Sequence, residues 1–378
     1  MIRLKSIYGE NIILKHVVFV YPVLTSYILP VLYNIAQSGR LSLDIIYGKT
    51  PSGEGLGEHL PFTHPNAHWI QVEARSSFGE KIGIHQKGIL GYLIKTRPDA
   101  VWIGANPRSI SFWGVLIVGR LLGIQVYARG HGLFKKEHVG IHYRLMYKII
   151  LLLSQTYVCY TPLVQKSLMP LIKDHKKLVV DFNTMHNQYP VSPEEKTGKE
   201  GGIFYIGRVR SGCGVNVLIE TVLHLNQKYN LGIELHIIGD GPLGSYIRQQ
   251  TQKYPWLHYY GEVYDQKLIS EISRSCRLGC VPGFMGLNVV HMMSLSLPVL
   301  THRQLPQHVG PEPEYIQDKI NGWFIENPND GALLAAALKE LWQTPGEKIN
   351  LIQANAYQTY GKLNIPPFHE RLLQILGA

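Results

Sequence analysis

Short apolar runs alternate with longer stretches of helical periodicity through the first half of the 378-residue chain. The runs are continuous rather than alternating, which is typical of parallel strands that are buried on both faces of a sheet. Strands are predicted at residues 16–21, 42–47, 99–104, 123–128, 155–160 and 177–182. Their alternation with helices indicates a doubly wound α/β domain.

The same rhythm restarts after a polar segment, rich in Pro and Gly, at residues 190–202. Strands are predicted at 203–206, 233–238, 257–260, 278–281 and 298–301, and helices near 214–228, 244–252 and 265–275. We therefore predict two Rossmann-like domains facing across a cleft, because such sheets bind ligands at their strand carboxyl ends. The predicted parts are an N-terminal domain (1–189), a linker (190–202), a C-terminal domain (203–355) and a C-terminal helix that packs back on the N-terminal domain (356–378).

Basic residues are concentrated in the first half of the chain. Residues 1–185 hold 21 Lys and Arg against 10 Asp and Glu, whereas residues 186–378 hold 16 against 17. An anionic lipid headgroup or a phosphorylated acceptor suits the first half, and a solvated basic surface explains the same charge equally well. Nucleic acid also suits this charge but is not the expected partner.

The four cysteines and seventeen histidines show no metal-ligand spacing, so we predict no metal site and no cofactor. Cys276 and Cys280 are four residues apart, and they read as reduced core residues. The uncharged stretch 17–33 is interrupted by Pro22 and Pro30, which predicts a strand, a loop and a helix rather than a membrane span. We expect a cytoplasmic protein, with peripheral attachment to the inner face of the cell membrane as the alternative.

The segment 282–325 carries the strongest candidate chemistry. Gly283 and Gly286 precede a predicted helix, and free amides at a helix N-terminus favour a phosphate or diphosphate. His291 lies one turn into that helix, where it can reach a ribose. The neighbouring methionines are most simply core residues.

Three further motifs follow predicted strands. Residues 239–244 match GxGxxG, but Pro242 stiffens the turn, so a dinucleotide site is the weaker interpretation and a close backbone approach to a ligand the safer one. Arg208 follows the strand at 203–206, where a guanidinium can bind a diphosphate or simply pair with an acid. His131, between two glycines, can bind a sugar hydroxyl or act only as a turn residue.

The order and spacing of these segments resemble the group 1 glycosyltransferases (family 4, GT-B fold). The resemblance covers residues 207–222, 235–243, 259–268 and 282–325 and is weaker in the first half. It implies transfer of a hexosyl residue from a nucleotide-sugar donor to a saccharide or lipid-linked acceptor, usually with retention and without a metal. It also implies a role in bacterial surface polysaccharide synthesis, such as lipopolysaccharide or capsule.

The resemblance assigns roles to individual residues. The implied catalytic residues are His131, Arg208 and Glu312. The implied donor-binding residues are Gly207, Arg208, Arg210, Gly241, Tyr264, Gly283, Gly286, Leu287, His291 and Glu314.

The chain departs from the family pattern at three positions. Cys213 stands where the family usually has a lysine. Gly283 and His291 stand where it usually has a pair of glutamates. A bacterial subgroup with PGxxGL, a His and a later PExE turn is similar, so Glu312 or Glu314 is expected to contact the sugar. Alternatives are a nucleotide-sugar 2-epimerase, a non-catalytic nucleotide-sugar-binding homologue and, third, a nicotinamide oxidoreductase.

Overall fold

The computed structural model describes residues 3–5, 11–25, 27–49, 61–76, 84–134, 139–197, 201–328 and 330–378. These residues form two compact α/β units. Within the described residues, the first unit comprises the chain up to Phe182 together with Pro366–Ala378, and the second comprises Asn183–Ile365.

Strands and helices alternate along most of the described chain. The strands are β1 (Arg3–Lys5), β2 (Asn11–Ile13), β3 (Lys15–Tyr21), β4 (Leu41–Gly48), β5 (Ala67–Val72), β6 (Ala74–Ser76), β7 (Ile84–Gln86), β8 (Ala100–Gly104), β9 (Gln125–Gly130), β10 (Thr156–Cys159), β11 (Leu178–Val180), β12 (Gly202–Ile206), β13 (Leu235–Ile238), β14 (Leu257–Gly261), β15 (Cys276–Cys280), β16 (Val299–His302) and β17 (Gly322–Ile325). The helices are α1 (Leu29–Gln37), α2 (Ile89–Thr96), α3 (Ile110–Leu122), α4 (Ile141–Leu153), α5 (Pro162–Leu168), α6 (Val215–Tyr229), α7 (Gly244–Thr251), α8 (Gln266–Arg274), α9 (Asn288–Ser294), α10 (Gly331–Gln343), α11 (Gly346–Leu363) and α12 (Phe368–Leu376).

A seven-stranded parallel sheet, in the order β11-β10-β9-β8-β3-β4-β5, forms the centre of the first unit. β3 shows why a continuous apolar run belongs there. Val18 and Val20 enter one hydrophobic cluster, whereas Val17 and Phe19 enter a second cluster on the other face. Both faces of the strand are therefore covered, as its sequence predicts.

Helix α12 completes the first unit, although it lies at the end of the chain. Phe368, Leu372, Leu373 and Leu376 are buried in the same cluster as Val17 and Phe19 of β3. α12 packs beside α1. The last helix thus contributes to the core of the first unit.

The second unit holds a six-stranded parallel sheet in the order β14-β13-β12-β15-β16-β17. Side-chain caps begin two of its helices: the carboxylate of Asp265 accepts amide hydrogen bonds at α8, and that of Asp330 does so at α10. The predicted fold class, two doubly wound α/β domains, is confirmed.

Two details differ from the sequence prediction or add to it. The strand predicted at 123–128 is β9, shifted by two residues, because Gly123 adopts a left-handed conformation (φ 71°) and ends α3. Part of the 190–202 segment hydrogen-bonds within the second unit: Lys196 Nζ donates to the carbonyl of Ser273 at 2.6 Å. In the described part of the chain, no helix combines the length and the apolar character that a membrane crossing needs.

Candidate functional site

Each of the two large parallel sheets has one point at which the direction of strand addition reverses. Ligands bind outside the strand carboxyl ends at such points. In the second unit the chain proceeds outward from β12 through β13 to β14 and then returns to β15, on the other side of β12. The loops that follow β12 and β15 therefore meet at the reversal. They contain Arg208 and Gly283, two of the residues that the sequence singles out.

Arg208 lies in the loop after β12. The Tyr205 hydroxyl donates to the Arg208 carbonyl at 3.1 Å and fixes the backbone at this position. Tyr264, after β14, donates its hydroxyl hydrogen to the Glu262 carboxylate. Burial and this carboxylate raise the pKa of Tyr264, whereas the positive charge of Arg208 acts in the opposite direction. The charge of the Arg208 guanidinium thus acts on the Tyr264 phenol.

The GxGxxG turn supports the Arg208 loop. A Cβ on Gly239 would lie 2.0 Å from the Gly207 carbonyl oxygen, and one on Gly241 would lie 2.8 Å from the Val209 carbonyl oxygen. The Asp240 carboxylate is bound within the turn itself, because its Oδ1 accepts a hydrogen bond from the Gly241 amide at 2.7 Å. The glycines are therefore required for close packing of the two loops, and the backbone approach to a ligand stays a prediction.

Backbone hydrogen bonds connect the loop after β15 to the loop before α6. The Gly283 amide donates to the Cys213 carbonyl at 3.3 Å, and the Phe284 amide donates to that of Gly212 at 3.0 Å. A Cβ on Gly283 would lie 2.1 Å from the Gly212 carbonyl oxygen, so only glycine fits without movement. At position 283, where the family pattern has a glutamate, this chain has a glycine whose backbone contacts the facing loop.

Asn288, which sequence reasoning missed, joins the two loops. Its Nδ2 donates to the Ile206 carbonyl at the end of β12 (3.0 Å), and its Oδ1 accepts from the Gly286 amide (2.9 Å). The Gly286 amide, predicted to bind the donor, therefore already donates its hydrogen bond to Asn288. For the amide of Leu287, no hydrogen-bond acceptor is found among the described residues, so this amide can bind a ligand. The sequence signal that could have identified Asn288 is a polar residue at the first position of α9.

His291 lies in α9 and is 9% exposed. Burial lowers the pKa of His291 to about 4, so its imidazole is neutral near pH 7. Its Nε2 is buried and has no hydrogen-bond partner within the described ranges. A neutral ring nitrogen of this kind can exchange a hydrogen bond with a hydroxyl group.

The PExE segment forms a short 3₁₀ helix, Glu312–Tyr315. Glu312 is buried, and its Oε1 accepts a hydrogen bond from Asn183 Nδ2. Its Oε2 lies 3.7 Å from the point where a Cβ on Gly286 would stand. The carboxylate thus adjoins the glycine loop, while Glu314 is half-buried in the same turn.

The two positions near the missing lysine differ in exposure. Cys213 is buried, so its thiol belongs to the core rather than to a ligand surface. Arg210 is exposed, three residues earlier. Arg210 is therefore a second cation of this loop, besides Arg208, and its side chain faces solvent.

The first unit has a cavity of about 660 Å³ at the carboxyl ends of its own strands. It lies where the sheet reverses, between β3 and β8, and Tyr21 and Gly104 at the ends of these strands line it. Its other polar and aromatic lining residues include Arg108, Arg129, His131, Tyr160 and Phe368.

Arg129 provides a buried positive charge in this cavity. Its Nε lies 3.6 Å from Asp181 Oδ2, and Arg371 Nε donates to the other oxygen of Asp181 at 2.7 Å. The Arg129 guanidinium lies over the rings of Tyr160 (4.4 Å) and Phe368 (4.8 Å). The two rings attract the guanidinium and help to hold it at the wall of the cavity.

His131 directly follows β9 and lines the same cavity. Its ring meets the Tyr160 ring edge to face at a centroid distance of 4.7 Å. The flanking glycines are needed: Gly132 has φ 55°, and a Cβ on Gly130 would lie 2.9 Å from the Tyr157 hydroxyl oxygen. The two glycines let the Tyr157 hydroxyl accept from the Gly132 amide at 3.0 Å, which orients the His131 turn.

Comparison with known proteins agrees with this architecture. Residues 200–344 match the family described as Glycosyl transferases group 1. No curated protein sequence matches the chain.

Three solved structures illustrate the similarity of fold. Anabaena HepE, crystallised with UDP-glucose, has a TM-score of 0.65 at 13% identity and covers 96% of this chain and 99% of its own. A glycosyltransferase from Rickettsia africae has a TM-score of 0.62 at 15% identity, with coverages of 96% and 97%. The lipopolysaccharide outer core galactosyltransferase WaaB has a TM-score of 0.56 at 13% identity, with coverages of 92% and 98%. The chain has the GT-B fold, and its second unit carries the sequence pattern of the group 1 glycosyl transferases.

Proposed function

We propose that the protein is a glycosyltransferase that takes a sugar from a nucleotide-diphosphate donor. The observation that carries this proposal is the meeting of the Arg208 loop and the Gly283 loop at the reversal point of the second sheet. The family match covers this unit. The UDP-glucose complex of Anabaena HepE, a protein of the same fold, supports a donor of this class.

The donor diphosphate is expected to bind between Arg208 and the amide of Leu287, with Arg210 within reach. When the bond between the sugar and the diphosphate breaks, negative charge develops on the leaving nucleotide. A guanidinium and a fixed amide stabilise that charge without reorganisation, which is typically the largest catalytic contribution. His291 is expected to exchange a hydrogen bond with the ribose, and the segment around Tyr264 to border the base.

The acceptor is proposed to be a saccharide or a lipid-linked saccharide held in the cavity of the first unit. Tyr160 and Phe368 line this cavity, and Arg129, whose guanidinium lies over both rings, is proposed to donate hydrogen bonds to hydroxyl or phosphate groups. His131 is proposed to hydrogen-bond near the reacting sugar. Glu312, beside Gly286, is the proposed carboxylate for the transferred sugar.

Retention of configuration, a hexosyl donor and a pathway of bacterial surface polysaccharide synthesis are part of the same proposal. The support for the pathway is the likeness in fold to WaaB, a lipopolysaccharide outer core galactosyltransferase. Transfer is expected without a metal ion, so chelators should leave turnover unchanged.

Replacing Arg208 tests the proposal. The Arg208→Ala variant should lose about 100-fold or more in turnover, because one charged donor to the developing anion is removed. Arg274→Ala is a matched control, since Arg274 is partly exposed, pairs with Glu195 and precedes the amino end of β15, at the opposite edge of the sheet. Nucleotide release from donor sugars is the measurement. Equal turnover of the two variants would contradict the assignment.

An anionic membrane surface is proposed as a second partner of the first unit. α3 and α4 pack side by side and expose apolar side chains, with cations between them. The exposed apolar residues are Ile110, Ile117, Leu121, Ile141, Leu145, Ile149 and Leu152, and the exposed cations are Arg120, Arg144 and Lys148. Apolar side chains flanked by cations are typical of helices that lie in a lipid headgroup region.

Co-sedimentation with vesicles containing anionic lipid measures this attachment. Wild-type protein should bind at low salt and less at high salt, because the cations are screened. A Leu121→Glu, Ile141→Glu double variant should not bind. Leu351→Glu, which changes a similarly exposed leucine (62%) of the second unit, should bind like wild type. Equal binding of all three proteins would contradict this surface.

A further inference from the structure

Two histidines and a glutamate meet at the amino ends of β13 and β14, away from the candidate donor site. His236 and His258 are directly paired across the two parallel strands, and their rings are stacked with centroids 4.7 Å apart. Glu234 immediately precedes β13. The side-chain ligand atoms of all three residues lie within 4.8 Å of one another.

The carboxylate-to-imidazole distances in this cluster are longer than those of a typical charged hydrogen bond. Glu234 Oε2 lies 3.5 Å from His236 Nε2 and 3.8 Å from His258 Nε2, whereas a charged hydrogen bond closes to about 2.7–2.9 Å. Both Nε2 atoms are buried, and neither has a hydrogen-bond partner among the described residues. With zinc bonds of about 2.0–2.2 Å and tetrahedral angles, two ligands of one zinc ion lie roughly 3.3–3.6 Å apart. The contact of Glu234 with His236 has this spacing, and its contact with His258 is slightly longer.

His236 is held in an orientation that suits metal binding. Its Nδ1 lies 3.0 Å from the Tyr260 hydroxyl, and a hydrogen bond on one ring nitrogen leaves the other free to coordinate. A Cβ on Gly202 of β12 would lie 3.1 Å from His236 Nε2, so this glycine provides the space for the ring.

We propose that His236 Nε2, His258 Nε2 and Glu234 Oε2 bind a divalent transition-metal ion, with zinc as the best match. Two imidazole nitrogens and one carboxylate oxygen favour Zn²⁺, Ni²⁺ or Cu²⁺ over Mg²⁺ or Ca²⁺, which prefer oxygen ligands. His258 and Glu234 are 36% and 55% exposed, so both side chains can adjust and a metal ion can enter from solvent.

The proposed ion is structural rather than catalytic. It lies at the amino ends of the strands, whereas Arg208 and Gly283 follow strand carboxyl ends. β14 is the edge strand of the six-stranded sheet, and among the described residues it is paired by β13 alone. An ion that bridges His236 and His258 would fasten this edge strand to its neighbour, and a ligand that binds only the folded state raises stability.

Zinc titration of the metal-free protein, followed by calorimetry and by thermal unfolding, tests this site. Wild-type protein should bind one equivalent of Zn²⁺ and unfold at a higher temperature, with no such effect from Mg²⁺. His258→Ala and Glu234→Gln should each raise the zinc dissociation constant at least about 10-fold and abolish the thermal shift. His224→Ala is the matched control, because His224 is exposed on α6, outside the cluster, and its removal should change neither result.

Two outcomes would overturn the site. One is the absence of a saturable zinc equivalent in wild-type protein. The other is the same zinc affinity in the His258→Ala, Glu234→Gln and His224→Ala variants, which would show binding to scattered surface histidines. Circular dichroism of the metal-free proteins checks that each variant is folded. Glu234→Gln preserves the shape of the side chain, so it tests the ligand even if loss of the imidazole disturbs β14.

Discussion

Replacing Gly283 by alanine perturbs the contact on which the candidate donor site depends. Gly283 does not have a left-handed conformation, so the effect of the methyl group is one of space alone. The new Cβ would lie 2.1 Å from the Gly212 carbonyl oxygen and 2.8 Å from the Gly214 nitrogen. Both neighbours are backbone atoms, which cannot turn away as a side chain can.

The size of the effect follows from these distances. Real Cβ atoms essentially never come closer than 3.0 Å, so relief from 2.1 Å requires the two loops to separate by about 0.9 Å. Overpacking of this kind costs about 1–3 kcal/mol, and the hydrogen bonds from Gly283 and Phe284 to the facing loop are weakened as well. We expect a loss of about 3 kcal/mol in the free energy of unfolding. A shift of about 1 Å at the site can cost on the order of 100-fold in turnover.

Urea unfolding and nucleotide release from donor sugars measure the two effects. Gly361→Ala is the matched control: Gly361 lies inside α11, and a Cβ there meets nothing within 4 Å. This change should stabilise the protein by about 0.5–1 kcal/mol and leave turnover unchanged. If Gly283→Ala were as stable and as active as Gly361→Ala, the close contact between the two loops would be wrong.

Three further changes test other parts of the account. Asp181→Asn should reduce the free energy of unfolding by about 3–5 kcal/mol in urea unfolding, because it leaves the guanidiniums of buried Arg129 and half-buried Arg371 without their shared carboxylate; a loss below about 1 kcal/mol would contradict this network. The unfolded chain should take up a proton at His291 near pH 6.5 and the folded chain only near pH 4, so stability should fall as the pH falls through this window. Between pH 6 and pH 5, the free energy of unfolding in urea should fall by about 1 kcal/mol less for His291→Gln than for wild type. The same pH dependence in both proteins would contradict the burial of His291. Asn288→Ala should weaken nucleotide binding in calorimetry about 10-fold or more, because the loops after β12 and β15 lose their side-chain link, and unchanged affinity would show that the link is dispensable.

Local patterns were sufficient to predict most of the parallel strands and the two-domain fold. β3 is an example, because its continuous apolar run requires cover on both faces. β9 was displaced by two residues, since the left-handed Gly123 is the C-cap of α3 and the strand begins after it. Gly283 was correctly singled out as a loop position, but the sequence could not show that its Cα faces the Gly212 backbone.

Contacts between distant residues could not be predicted from spacing. Arg371 and Asp181 are 190 positions apart, and their link to Arg129 exists only because α12 returns to the first unit. His236 and His258 carry no metal-ligand spacing along the chain. They become neighbours through the register of β13 and β14, which local sequence does not specify.

Calorimetric titration with uridine, guanosine, cytidine and thymidine diphosphates tests the central claim most directly. Wild-type protein should bind at least one of these nucleotides at a single site. Arg208→Ala should bind the same nucleotide at least about 10-fold more weakly, because a charge-assisted pair with the diphosphate is lost. Absence of binding for all four nucleotides, or the same affinity in wild-type and Arg208→Ala protein, would contradict a nucleotide-sugar donor site at the reversal point of the second sheet.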